Sequence, residues 1–168
     1  MTTLGLALGA GGARGWCHIG VIRALEARGV TADVIAGCSM GALVGAFHAA
    51  GRLDDLEDWA RSLTAARLAR LLDPRLRGGG LIFGQSILDM CDTLALPRQI
   101  SELALPFMAV ATDLQSGRDL WLRDGDLHDA VRASVAIPGI LAPHQVNGRW
   151  LVDGGVTDPV PVSGARAL

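Results

Sequence analysis

Gly37-Cys38-Ser39-Met40-Gly41 reads G-x-S-x-G. It stands between Val34-Ile35-Ala36, which reads as a buried strand, and a stretch whose apolar residues Leu43, Val44 and Phe47 have helical spacing. A strand-to-helix turn of this kind holds a serine on a strained backbone that only small neighbours tolerate, and it points the hydroxyl out of the sheet. It also places Ser39 at a helix N-terminus, where the dipole and free N–H groups favour developing negative charge. Glycines in such a turn can serve close strand–helix packing and nothing else. The strand and helix around the five residues are what point to a nucleophile. Cys38, beside the serine, reads as a small buried filler.

A second glycine turn, Gly9-Ala10-Gly11-Gly12-Ala13-Arg14-Gly15, follows the apolar run Leu4–Leu8 and opens another helical stretch. Consecutive small residues let several backbone N–H groups converge on one anionic oxygen. A dinucleotide loop fits poorly. In a G-x-G-x-x-G frame begun at Gly9 the third glycine position is Arg14, and the second strand runs into Cys38 and Ser39 rather than an acidic residue that could hold a ribose. Two glycine turns after neighbouring strands, one bearing a serine, suit acyl transfer better than hydride transfer. A serine also needs a base. The order Ser, Asp, His allows Ser39 with Asp113 and either His128 or His144. Asp153 is another candidate, at the end of a strand and flanked by Gly154 and Gly155, although Asp-Gly-Gly alone is an ordinary turn.

The elements that must position these residues form an α/β pattern. Leu4–Leu8 reads as a first strand. A helix over Trp16–Arg28 carries Ile19, Ile22 and Leu25 and is stopped by Gly29. The second strand and second helix follow, the latter ended by Gly51, so the pattern implies parallel strands with right-handed crossovers. Further on, helices are predicted over Leu53–Leu72, with acids in its first turns, over Ser86–Leu96 before Pro97, and over Leu127–Ser134. Strands are predicted over Phe107–Ala111, paired with Asp119–Arg123 across Gln115-Ser116-Gly117, and over Trp150–Val152.

Composition narrows the function classes. The chain has 168 residues, half of them hydrophobic and 19% charged, as suits one core-building domain over 1–168. Fifteen basic residues against seventeen acidic ones give a net charge of −2, which argues against a nucleic-acid binder. Every basic residue is arginine, so lysine Schiff-base chemistry is excluded. Cys17, Cys38 and Cys91 are far apart, with no C-x-x-C pair, which argues against a disulfide framework or zinc site and for a reducing compartment. No apolar run approaches the ~20 residues that span a bilayer, and the N-terminus lacks a basic leader region. A cytoplasmic protein is expected.

The segments Gly11–Gly15, Gly37–Gly41 and Asp153–Gly155 resemble, in order and spacing, the patatin-like phospholipase family. So do His18–Val21, Ala133–Gly139 and Asn147–Val152, and the match, closest to the short bacterial members, covers nearly the whole chain. The resemblance implies a three-layer α/β/α domain around a mostly parallel sheet. It implies a Ser–Asp dyad without histidine, with Ser39 as nucleophile and Asp153 as the group that takes its proton and later activates water. Backbone N–H groups of Gly11 and Gly12, beside Arg14, would form the oxyanion hole together with that of Met40. The implied substrate is a lipid acyl ester, phospholipid or lysophospholipid first, with no metal or organic cofactor. Ala10 stands where many members have glycine. The chain stops soon after Asp-Gly-Gly, with Val162–Leu168 reading as the start of a helix, so the domain is expected to be cut short at its C-terminus.

Against that frame His18 reads as a packing or hydrogen-bonding residue, and His48, His128 and His144 as structural. Asp113, Asp126, Asp129 and Asp158 suit turns and caps. Trp16, Trp59, Trp121 and Trp150 read as core or boundary aromatics, Trp59 being the one with a lipid-facing alternative. The arginines from Arg61 to Arg77 read as a solvated face. The sharper alternative is a cap touching anionic headgroups, each arginine adding ~1 kcal/mol at such a surface, which would give the protein a peripheral membrane contact.

Overall fold

The computed structural model describes residues 3–64 and 84–168. Among them six strands form one sheet: β1 (Gly5–Leu8), β2 (Val34–Cys38), β3 (Phe107–Asp113), β4 (Asp119–Leu122), β5 (His144–Val146) and β6 (Arg149–Asp153). Six α-helices accompany them: α1 (Cys17–Glu26), α2 (Met40–Ala49), α3 (Leu53–Arg61), α4 (Gln85–Thr93), α5 (Leu127–Ser134) and α6 (Val162–Ala167). The strand order is β1-β2-β3-β6-β5, with β4 also paired to β3. The strands that carry the two glycine turns, β1 and β2, run parallel to each other and to β3, whereas β4 and β6 pair antiparallel with it.

The sheet is covered on both faces, giving the expected three-layer α/β/α arrangement. Side chains alternate across a strand, and the neighbours of two glycines show which face each residue takes. A Cβ on Gly45 of α2 would lie 2.9 Å from Ile35 Cγ2 and 3.4 Å from Phe107, so those residues face α2. A Cβ on Gly164 of α6 would meet Met108 and Ala36, which face the other way. α2 is buried from Gly41 through Phe47, because it lies on the sheet and is itself flanked by α3 and α5. Phe47 and Leu56 are fully enclosed there, and truncating a core Phe to Ala typically costs about 3–5 kcal/mol.

Two helices end sooner than the spacing predicts. α3 stops at Arg61, where the Ser62 hydroxyl donates to the Trp59 carbonyl at 2.6 Å. The rest of the expected Leu53–Leu72 helix, most of the arginine run and Gly78-Gly79-Gly80 lie outside the described residues. α4 ends at Thr93 rather than at Leu96: Ala95 takes φ 51°, and Leu96 N–H and Ala95 N–H return to the Cys91 and Asp92 carbonyls. This is the 6→1 and 5→2 closure of a helix C-terminus, made with Ala in place of the usual Gly. β5 was not foreseen. It pairs with β6 across Asn147-Gly148, both at positive φ (49° and 79°), as a two-residue hairpin turn requires.

Candidate active site

The Gly37–Gly41 elbow between β2 and α2 is built from close contacts that only glycine allows. A Cβ on Gly37 would fall 2.5 Å from Ala42 Cα, and one on Gly41 would fall 2.1 Å from the Leu8 carbonyl oxygen. The backbone can therefore turn from β2 into α2 within one residue, and Ser39 takes φ 55°, ψ −124° to do so. A non-glycine residue in such a region costs about 1–3 kcal/mol. The surroundings hold it there through all its polar groups. The Ser39 carbonyl accepts from Ala42 N–H and Leu43 N–H (2.9 and 3.1 Å). Its N–H donates to Ser134 Oγ at 2.9 Å, and its hydroxyl donates to Asp153 Oδ2 at 2.6 Å.

The register of β3 explains how residues 114 positions apart in sequence meet. Val110 pairs with Cys38 and with Trp121, and Ala111 pairs with Asp153 and with Leu120. Because β4 occupies one edge of β3 at both positions, β2 and β6 must share the other. β2 arrives parallel and ends at Cys38; β6 arrives antiparallel and ends at Asp153. Their C-termini abut along one edge, and Ser39 and Asp153 face each other across the junction. Gly154 completes it: a Cβ there would lie 2.3 Å from the Val110 carbonyl oxygen.

Asp153 is 5% exposed. Its Oδ1 accepts Gly155 N–H at 2.7 Å, which leaves Oδ2 to Ser39, and Thr112 Oγ1 donates to its carbonyl at 3.0 Å. Burial pushes the Asp153 carboxyl above its ordinary value, while the hydrogen bonds from Ser39 and Gly155 pull the other way. The result is a carboxylate more basic than an exposed one, in a short O–H···O contact of the charge-assisted kind. Cys38 is fully buried and points toward Gly154; burial pushes its thiol up to about 12, which disfavours the thiolate.

The other glycine turn packs directly on the elbow. A Cβ on Gly15 would lie 2.3 Å from Met40 Cβ, and one on Gly11 would lie 2.7 Å from Gly15 Cα. Gly11 precedes a short 3-10 helix over Gly12–Trp16, in which Arg14 N–H donates to the Gly11 carbonyl (3.0 Å) and the Arg14 side chain is exposed. The start of the turn is clamped from two sides, by His18 Nε2 on the Gly9 carbonyl (2.8 Å) and by the Pro159 carbonyl on Ala10 N–H (2.8 Å). Gly12, Ser39 and Met40 open together onto an apolar cleft of ≈ 290 Å³, walled by Trp59, Ile87 and Leu141 among others. Trp59 also packs against Trp16 (centroids 6.1 Å apart).

The remaining candidates lie elsewhere. His128 is buried with Nε2 on the Leu96 carbonyl (3.0 Å) and Nδ1 beside Arg98 (3.2 Å), and His144 bonds Asp129 at 2.8 Å. Asp113 accepts Gln115 N–H (2.8 Å) in the β3–β4 turn and faces Arg149. Asp126 caps α5 by accepting Asp129 N–H. The hydroxyl that Asp153 receives is thus not matched by any histidine contact. Ser134, at the end of the predicted Leu127–Ser134 helix, also bears on the site. Its partner lies 95 residues away, and a serine late in a helix carries no local sign of such a bond.

The sequence profile of the patatin-like phospholipase family matches residues 6–166. An uncharacterized NTE family protein of Mycobacterium tuberculosis (H37Rv) is 52% identical over 158 residues, covering 94% of this chain and 44% of that protein. Human patatin-like phospholipase domain-containing protein 6 is 35% identical over 99% of this chain and 12% of its own length. The chain therefore spans less than half the length of these relatives. The crystal structure of VipD from Legionella pneumophila superposes with a TM-score of 0.74 at 16% identity, over 95% of this chain and 47% of that one, which places the fold. No helix among the described residues is long and apolar enough to cross a membrane. With the elbow, the carboxylate and the glycine turn in the family's order and a profile match along almost the whole sequence, the chain belongs to the patatin-like phospholipase family.

Proposed function

We propose that the chain hydrolyses acyl esters of lipids, phospholipid or lysophospholipid first, with Ser39 as nucleophile and Asp153 as its base. The observation that carries this is the buried 2.6 Å contact from Ser39 Oγ to Asp153 Oδ2, opening onto an apolar cleft able to take an acyl chain. Ser39 Oγ attacks the ester carbonyl as its proton passes to Asp153 Oδ2. Negative charge collects on the former carbonyl oxygen, which accepts hydrogen bonds from the N–H groups of Gly11, Gly12 and Met40. Arg14 holds the turn that presents the two glycines, through its N–H on Gly11. Met40 is the first residue of α2, where N–H groups have no intrahelical acceptor.

Collapse of the tetrahedral adduct breaks the ester C–O bond, and Asp153 returns the proton to the departing alcohol. Water then attacks the acyl-serine, gives its proton to Asp153 and releases the fatty acid as Ser39 regains its hydrogen. One oxyanion donor is worth about 10²–10³ in rate and a positioned base about 10²–10⁴. Ile140, 47% exposed, lines the same cleft, so the site presents apolar surface to a lipid arriving from an interface. Sedimentation with anionic and neutral liposomes tests a peripheral contact through the arginines from Arg61 to Arg77, and equal binding to both, or none to either, removes it.

The direct test is a fluorophosphonate probe on wild type, Ser39→Ala and Asp153→Asn, with circular dichroism to establish folding. Labelling of wild type that vanishes in Ser39→Ala and slows in Asp153→Asn is expected. A folded wild type that does not label overturns the assignment and leaves a non-catalytic role for the fold.

A further inference from the structure

We propose that Ser134 is a positioning residue for the nucleophile, an inference that rests on the reading of Ser39 given above. Ser134 is the last residue of α5, and it is wholly buried. Its hydroxyl accepts the Ser39 N–H at 2.9 Å and donates to the Val110 carbonyl at 2.6 Å. A hydroxyl has one proton to give. Spending it on Val110 turns a lone pair toward Ser39, so the direction of both bonds is fixed.

The need for such a tether follows from the sheet. The ladder between β2 and β3 closes with Cys38 opposite Val110, one residue short of the serine. Ser39 thus leaves the sheet at φ 55° with its N–H pointing into a buried environment, where a donor without an acceptor costs about 1–3 kcal/mol by the general rule. Ser134 supplies that acceptor and anchors it to Val110, the neighbour of Ala111, which carries Asp153 in its own register. One hydroxyl therefore refers the nucleophile's backbone to the same stretch of β3 that positions the base. Misplacement of reacting groups by about 1 Å can cost 10²-fold. With the Ser39 amide committed to Ser134, oxyanion binding falls to the amides of Gly11, Gly12 and Met40.

Three substitutions separate this role from packing. Ser134→Ala removes the hydroxyl. Ser134→Cys fills the site with a slightly larger group that offers only a weak donor and acceptor, and Ser134→Thr restores the hydroxyl. Fluorophosphonate labelling, resolved into probe affinity and rate of reaction, is measured alongside amide exchange of Ser39 by ¹H–¹⁵N NMR. Ala and Cys are expected to react about 10–100-fold more slowly at unchanged affinity, with faster Ser39 exchange, and Thr to recover both. A folded Cys variant that labels at the wild-type rate makes Ser134 a packing residue and ends the proposal, as does Ser39 exchange indifferent to the hydroxyl. The Cys comparison stands even if Ala fails to fold. A wild type that never labels overturns the hydrolase reading instead, while amide exchange still decides the tether.

Discussion

The two glycine turns follow neighbouring parallel strands and open onto the same cleft, yet they are built in opposite ways. In the elbow, residues 37–39 are buried, Gly37 and Gly41 are in backbone contact, and every polar group of Ser39 is bonded. In the Gly9–Gly15 turn, Gly12 has φ 50° with nothing within 4 Å of the place its side chain would take, and Ala13 and Arg14 are exposed. The elbow fixes one side chain and hides its own backbone; the other turn keeps its backbone uncovered and clamps only its ends. The contrast suits the roles proposed for them: a nucleophile must be closely aimed, whereas an oxyanion site must first stay accessible to the incoming carbonyl.

The largest effect expected on this contrast is at the base of the elbow. Asp153→Asn should slow probe reaction or turnover by about 10²–10⁴ in a folded protein, and a loss under tenfold would mean that the elbow is aimed but not activated. Next, Gly41→Ala forces a methyl into the Leu8 carbonyl. It should cost about 1–3 kcal/mol by overpacking, or about 2–4 °C of Tm per kcal/mol in a domain of this size, with activity lost alongside.

A third effect is pH-dependent. A folded state that binds its proton more tightly than the unfolded chain is favoured at low pH. The stability linked to Asp153 is therefore fully present below the unfolded carboxylate value, near ~3.9, and is lost as pH rises through its raised folded value. Thermal scans of wild type against Asp153→Asn should show the wild type losing ground across that window, just where probe reaction climbs as the base ionises. A constant difference at all pH values would mean that the pocket does not disfavour the charge.

The smallest effect belongs to the open turn. Gly12→Ala meets no atom but must hold a left-handed conformation, a cost of about 1 kcal/mol. Its Tm should fall less than that of Gly41→Ala, and a larger drop would show that the turn is as tightly built as the elbow.

Much of this was legible because it is local. α5 falls on the predicted Leu127–Ser134, since its cap and apolar spacing lie within the segment. Both turns announce themselves by glycines whose contacts are with near neighbours in structure. The carboxylate partner of Ser39 is harder to read. On residues alone, Asp153 stood beside Asp113, His128 and His144, and only a resemblance chose among them; the choice depends on register with β3, which no short segment encodes. β5 carries a local sign in Asn147-Gly148, a dipeptide that favours a two-residue hairpin turn. The end of α4 was misread because Ala95, at φ 51°, does what Gly usually does. Ser134 falls within the resembling segment Ala133–Gly139, but its bond to Ser39 is not legible there, for the same reason as that of Asp153: the partner is distant in sequence.

The meeting of β2 and β6 on one edge of β3 also sets an order of events. The elbow needs β1, β2, α2 and their contacts, but its hydroxyl has no carboxylate partner until β6 docks beside β3, and residues 114 positions apart in sequence then meet at the cost of ordering the chain between β3 and β6. A slip of β6 by one residue would turn Asp153 to the opposite face of the sheet. On the proposed reading Ser39 is an ordinary alcohol until β6 is in register beside β3, so its reactivity toward a probe would report on the docking of that strand.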